Sequence, residues 1–124
     1  MLFAGTTEGR KLCEYLTGKN CDTYVYVTTE YGRELLSQAD NVHIHTGRMD
    51  EADMLKELEA KKPYIVIDAT HPYATQVTHN IKNVCDSKNI SYVRVLREDN
   101  DKKPEFKSDN ITYVKSIKDV VELL

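Results

Sequence analysis

The run Tyr64-Ile65-Val66-Ile67 constrains this chain most: four consecutive apolar residues without the polar alternation of a half-exposed strand. A strand of that kind is covered on both faces, and strands so covered belong to parallel sheets whose crossover connections are helices. The remaining sequence supplies both. Leu2-Phe3-Ala4 and residues 24–27, 42–45, 92–96 and 111–114 read as further strands. Between them lie helical patterns: residues 8–17, with Leu12, Tyr15 and Leu16 on one face, and a short segment over 30–38. Asp50 caps a third, in which Met54, Leu55 and Leu58 point one way. In a fourth, Ala74, Val77, Ile81, Val84 and Cys85 fall at helical spacing, with Pro72 near the first turn. The expected fold is a Rossmann-like α/β domain, a three-layer, doubly wound parallel sheet of order 3-2-1-4-5. A sixth strand should follow, then a last helix capped by Ser116, with Ile117, Val120, Val121 and Leu124 on one face.

At 124 residues the chain has length for one such domain. Its 17 basic and 20 acidic side chains leave a net charge of −3, which gives no electrostatic case for nucleic acid or an anionic membrane. No apolar run approaches the ~20 residues of a membrane span, and no secretory signal pattern precedes Gly5. Cys13, Cys21 and Cys85 are odd in number, scattered and without a C-x-x-C pair, so reduced thiols in a cytoplasmic protein are expected. Residues 97–110, charged around Pro104, read as a solvated loop. The last helix reaches position 124 without a stop signal and the first strand is short. Both suggest a fragment of a longer enzyme, with a natural terminus as the alternative.

The chemistry gathers where strands give way to helices. Gly5-Thr6-Thr7-Glu8-Gly9-Arg10 resembles a dinucleotide-binding loop without matching G-x-G-x-x-G. Gly5 permits a tight turn and close backbone approach, Thr6 and Thr7 offer hydroxyls and amides, and Arg10 can add a charge-assisted bond to phosphate. A plain capped helix start, with Thr7 as the cap and Glu8 in the first turn, explains the same residues. After the second strand, Thr28-Thr29-Glu30-Tyr31-Gly32-Arg33 holds both an acid for a ribose hydroxyl and a hydroxyl and guanidinium set for a 2′-phosphate. The choice stays open. Thr46-Gly47-Arg48 places another guanidinium at the same edge, for phosphate or for stacking on adenine. His43 and His45 share one face of the third strand but have no further ligands spaced to complete a metal site, and His79 reads as a surface residue. His71 differs. It follows the fourth strand at the point where the sheet order reverses, within reach of a bound ligand, although it can equally cap the helix before Pro72.

Gly5-Thr6-Thr7-Glu8-Gly9-Arg10, the Thr29-Glu30-Tyr31-Gly32 turn, Gly47-Arg48-Met49, Asp68-Ala69-Thr70-His71-Pro72-Tyr73-Ala74 and the strand Tyr92-Val93-Arg94 ending at Arg97 resemble the precorrin-6A reductase family of cobalamin biosynthesis, which implies a two-domain enzyme with this chain as its N-terminal half. The resemblance runs from Gly5 to about Arg97. It implies reduction of one double bond of precorrin-6A or cobalt-precorrin-6A by NADPH or NADH, with dinucleotide and tetrapyrrole in a cleft between two domains. Gly5, Thr6, Thr7, Gly9, Arg10, Thr28, Arg33, Gly47, Arg48, Thr70 and His71 are the expected dinucleotide-binding residues, and His71 and Tyr73 the catalytic candidates. Local anion recognition of the many-carboxylate substrate falls to Arg10, Arg33, Arg48 and Arg97. No metal is expected, because hydride chemistry belongs to the nicotinamide. The rival readings are a catalytically silent nucleotide-binding or regulatory module and a transferase on the same fold.

Overall fold

The structure is a computed structural model that describes residues 1–95, 111–114 and 120–121. Six parallel strands form one sheet: β1 (Leu2–Ala4), β2 (Thr23–Val27), β3 (Val42–Thr46), β4 (Ile65–Ala69), β5 (Ser91–Val95) and β6 (Ile111–Val114). Their order is β3-β2-β1-β4-β5-β6. Among the described residues four helices follow β1 to β4 in turn: α1 (Thr7–Leu16), α2 (Glu30–Glu34), α3 (Glu51–Lys61) and α4 (Thr75–Ser87). The chain winds outward from β1 to β3, then returns through α3 to place β4 on the other side of β1. That reversal opens the sheet at the carboxyl ends of β1 and β4, where α/β folds bind ligands.

Each face of the sheet buries its own core. On one, Leu12, Cys13 and Leu16 of α1 pack on Leu2, Val25, Ile67 and Val93. On the other, Met54 and Leu58 of α3 and Ile81, Val84 and Cys85 of α4 cover Phe3, Tyr26, Val66 and Tyr92. At roughly 1.5–3 kcal/mol for each large side chain removed from water, these two layers supply the main drive to fold.

Several local expectations change. Helix α1 starts at Thr7, and Thr6 is its cap, the hydroxyl accepting the Gly9 N–H at 3.2 Å. Thr7 is therefore the first helical residue, because the Thr6 hydroxyl lies three residues before the amide it caps. The buried stripe of α1 is Gly9, Leu12, Cys13 and Leu16, whereas Tyr15 sits at its margin under the ammonium of Lys19. Helix α2 ends at Glu34, short of 38. Tyr64 is 90% exposed and precedes β4. Pro72 lies in a turn closed by Ala74 N–H to His71 C=O at 2.9 Å, and α4 begins only at Thr75, with Ala74 at its cap and no side-chain bond there. Of the expected last helix, Val120 and Val121 are helical, and Val120 is fully buried in the α1 layer. The expected loop at 97–110, Arg97, Ser116, Ile117 and Leu124 lie outside the described residues.

Candidate functional site

The turn after β1 and the turn after β4 meet across the switch point. Thr6 Oγ1 donates to the Ala69 carbonyl at 2.7 Å while accepting the Gly9 amide, so one hydroxyl caps α1 and ties it to the end of β4. A Cβ on Gly5 would lie 3.9 Å from Thr70 Cα, which puts the two backbones side by side. Gly9 is buried against the sheet, where a Cβ would come within 3.1 Å of Ala4 and 3.2 Å of Ala69. Its absent side chain lets α1 approach closely, and Thr7 and Arg10 of its first turn then border the cleft at the positive end of the helix.

Two adjoining hollows straddle this edge. On the α1 side a cavity of about 340 Å³ is lined by Gly5, Thr6, Thr7, Arg10, Thr28 and Thr29, with Tyr31 and Leu35 at its wall. Among the described residues no Asp or Glu lines it. On the α3–α4 side a wider cleft of about 710 Å³ has Phe3, Tyr26 and Met54 at its floor and Arg48, Thr70, Gln76 and Asn80 among its polar groups. Thr28 borders both. Gly47 lies in the wider cleft with φ +130°, a backbone conformation that suits glycine, and its N–H donates to Val27 C=O at 2.9 Å. Of the expected dinucleotide residues, Arg33 is turned away: its guanidinium is 3.5 Å from the Ile44 carbonyl and 3.4 Å from Thr46 Oγ1, beside β3.

His71 and Tyr73 stand exposed above the β4 end. Their rings lie 5.1 Å apart, and His71 Nδ1 accepts the Tyr73 backbone N–H at 3.2 Å. An accepting Nδ1 assigns the proton of the neutral ring to Nε2. The other histidines lie apart from the cleft. His43 contacts Asp22 at 3.2 Å, His45 tilts against Tyr26, and His79 is on the exposed side of α4. Among the described residues no group of three or more His, Cys, Asp or Glu is placed to hold a metal ion. No described helix is long and apolar enough to cross a membrane.

Over residues 1–124 the sequence matches the family described as precorrin-6x reductase CbiJ/CobK. The chain belongs to the precorrin-6x reductase family. The cobalt-precorrin-6A reductase of Methanothermobacter thermautotrophicus is 33% identical over 125 residues, covering 99% of this chain and 39% of that protein. The cobalt-precorrin-6A reductase of Salmonella typhimurium is 30% identical over 97 residues, 78% of this chain and 36% of that one. The chain thus spans well under half the length of these relatives. Among solved structures, a CobK precorrin-6A reductase shares the fold, with a TM-score of 0.65 at 22% identity over 87% of this chain and 40% of that one.

Reading the motifs of this precorrin-6x reductase family member in sequence missed what lies beneath the β4 turn. Asp68 is fully buried, and its carboxylate accepts from Thr70 Oγ1 at 2.6 Å, Thr78 Oγ1 at 2.9 Å, Tyr92 Oη at 2.6 Å and Arg94 Nη1 at 3.1 Å. Burial first, and Asp68 second, push the Tyr92 phenol far up, so it remains a donor. The available signal was one acid in Ile65-Val66-Ile67-Asp68-Ala69 and one base in Tyr92-Val93-Arg94-Val95, each inside an apolar strand.

Proposed function

We propose that this chain is the dinucleotide-binding part of an NADPH- or NADH-dependent reductase of precorrin-6A or cobalt-precorrin-6A. The observation that carries the reading is the juxtaposition of Gly5 and Thr6 with Ala69 and Thr70 across the switch point, beside a cavity to which the described residues bring hydroxyls and a guanidinium but no carboxylate. That donor set suits phosphate: the first amides of α1, the Thr7 hydroxyl and Arg10 would hold the pyrophosphate. Thr28 and Thr29 line the cavity, whereas Glu30 does not, so the described lining offers hydroxyls to a 2′-phosphate and no acid to a 2′-hydroxyl. Arg48, Gly47 and Thr70 border the wider cleft, which would take the remainder of the ligands.

The nicotinamide would supply the hydride, and the chain's own residues would bind, orient and exclude water. His71, with Nε2–H directed away from its own turn, would donate a hydrogen bond or a proton to the macrocycle as the double bond is reduced, and the exposed Tyr73 ring would pack against that flat substrate. The rest of the enzyme, corresponding to the greater length of the relatives, would close the substrate side of the cleft.

The test is a titration of the full-length protein with NADPH, NADH and S-adenosylmethionine, followed by single-turnover reduction of precorrin-6A. A dinucleotide at 100 times its dissociation constant should stabilise the protein by about 2.7 kcal/mol. Stabilisation by S-adenosylmethionine alone would favour the transferase, and dinucleotide binding without turnover a silent module.

A further inference from the structure

Arg94 and Asp68 stand side by side on parallel strands, and both are withdrawn from water, at 4% and 0% exposure. An ion pair placed there is a costly way to fill a core, since well-packed apolar residues of similar volume commonly serve stability as well or better. What the pair does is visible in its other bonds. One nitrogen, Arg94 Nη1, lies 3.1 Å from Asp68 Oδ1, 3.1 Å from the Asp68 carbonyl and 2.9 Å from the Thr70 carbonyl. Asp68 Oδ1 in turn accepts the Thr70 N–H at 3.0 Å and the Thr70 hydroxyl at 2.6 Å.

The two peptide planes flanking Thr70 are thereby pinned from beneath, one through its N–H and the other through its C=O. The second of those planes delivers the chain into His71. Oδ2, anchored by Tyr92 and Thr78, ties the same carboxylate to β5 and α4 and prevents it from rotating away. We propose that Asp68 and Arg94 are positioning residues that set the residue 70–73 turn, and through it the direction of the His71 imidazole, before any ligand arrives. The functional half of this inference rests on the dinucleotide reading above; the geometric half does not.

The experiment uses the full-length protein labelled with 15N-histidine, with His71→Gln identifying the His71 signals. Arg94→Lys keeps the positive charge but replaces the planar guanidinium by a flexible point donor. In this variant the His71 ring nitrogens should lose the distinct shifts of a single Nε2–H tautomer and move toward averaged values. The single-turnover rate of precorrin-6A reduction, measured alongside, should fall by about a hundredfold, as expected when a reacting group is misplaced by an ångström, with a much smaller change in NADPH affinity. Tyr92→Phe, which removes one hydroxyl and no core volume, should move the same signals in the same direction by less. It serves if Arg94→Lys does not fold.

A folded Arg94→Lys protein with unchanged His71 signals would overturn the proposal, as would an unchanged Tyr92→Phe protein if the lysine variant fails to fold. Altered His71 signals in a protein whose parent binds neither NADPH nor NADH would uphold the positioning role and remove the dinucleotide reading instead.

Discussion

Nδ1 of His71 is occupied by the backbone N–H of Tyr73 at 3.2 Å, within a turn closed by the Ala74 amide on the His71 carbonyl. The imidazole is therefore held by its own turn on one side and free to act with Nε2 on the other. In the full-length protein His71→Ala should lower the rate of a single turnover by roughly 10²–10⁴-fold, the usual contribution of a positioned proton donor, with a much smaller change in dinucleotide affinity. Single-turnover kinetics beside a binding titration separate the two quantities. A variant with normal turnover would leave His71 only its role in the turn.

Arg10 lines the cavity at the start of α1. If its guanidinium meets phosphate, Arg10→Ala should weaken dinucleotide binding by about 1–3 kcal/mol. Gly5→Val should weaken it too, by crowding the backbone that the pyrophosphate approaches rather than by disturbing Thr70, which a Cβ would reach only at 3.9 Å. Calorimetric titration at unchanged circular dichroism checks both, and unaltered affinity in the pair would reduce the turn to a helix start.

Gly9→Ala tests the packing between helix and sheet. The added Cβ meets Ala4 Cα and Cβ at 3.1 Å and Ala69 Cβ at 3.2 Å, so α1 or the strand ends beneath it must give by a few tenths of an ångström. Overpacking of this kind costs about 1–3 kcal/mol, to be read from the urea midpoint at constant slope. An unchanged midpoint would show that the helix moves without penalty.

Alkali should destabilise the fold. Burial pushes the Cys85 thiol up from 9.0 to about 12, with the nearby Asp68 adding to it. A raised acid pKa means that the folded state holds its proton more tightly than the unfolded state. The stability it contributes is fully present below pH 9 and declines as pH rises from about 9 toward 12, by at most about 1.4 kcal/mol per pH unit for one group. Burial also raises Cys13, Tyr26 and Tyr92, all in the same direction. Urea denaturation at pH 8 and pH 10.5 measures the effect; equal stability at the two would contradict it. The same burial predicts that a thiol reagent at pH 8 modifies exposed Cys21 rapidly and reaches Cys13 and Cys85 only after unfolding.

The sequence by itself determined the alternation of strands and helices, the sheet order and the edge on which the cleft opens. Those features follow from local periodicity, from turn chemistry such as Gly5 and Asp50, and from the right-handedness of parallel crossovers. The tertiary structure decided what no local pattern encodes. That Thr6 rather than Thr7 caps α1 depends on where the chain leaves β1, and that Arg33 faces β3 depends on the angle of a five-residue helix. Asp68 and Arg94, 26 residues apart, become partners only because the β4–β5 register sets them opposite one another on the face where Thr78 and Tyr92 also point. A charge in an apolar strand announces a partner, but its identity is settled by register, and register is fixed when both faces of the sheet are packed.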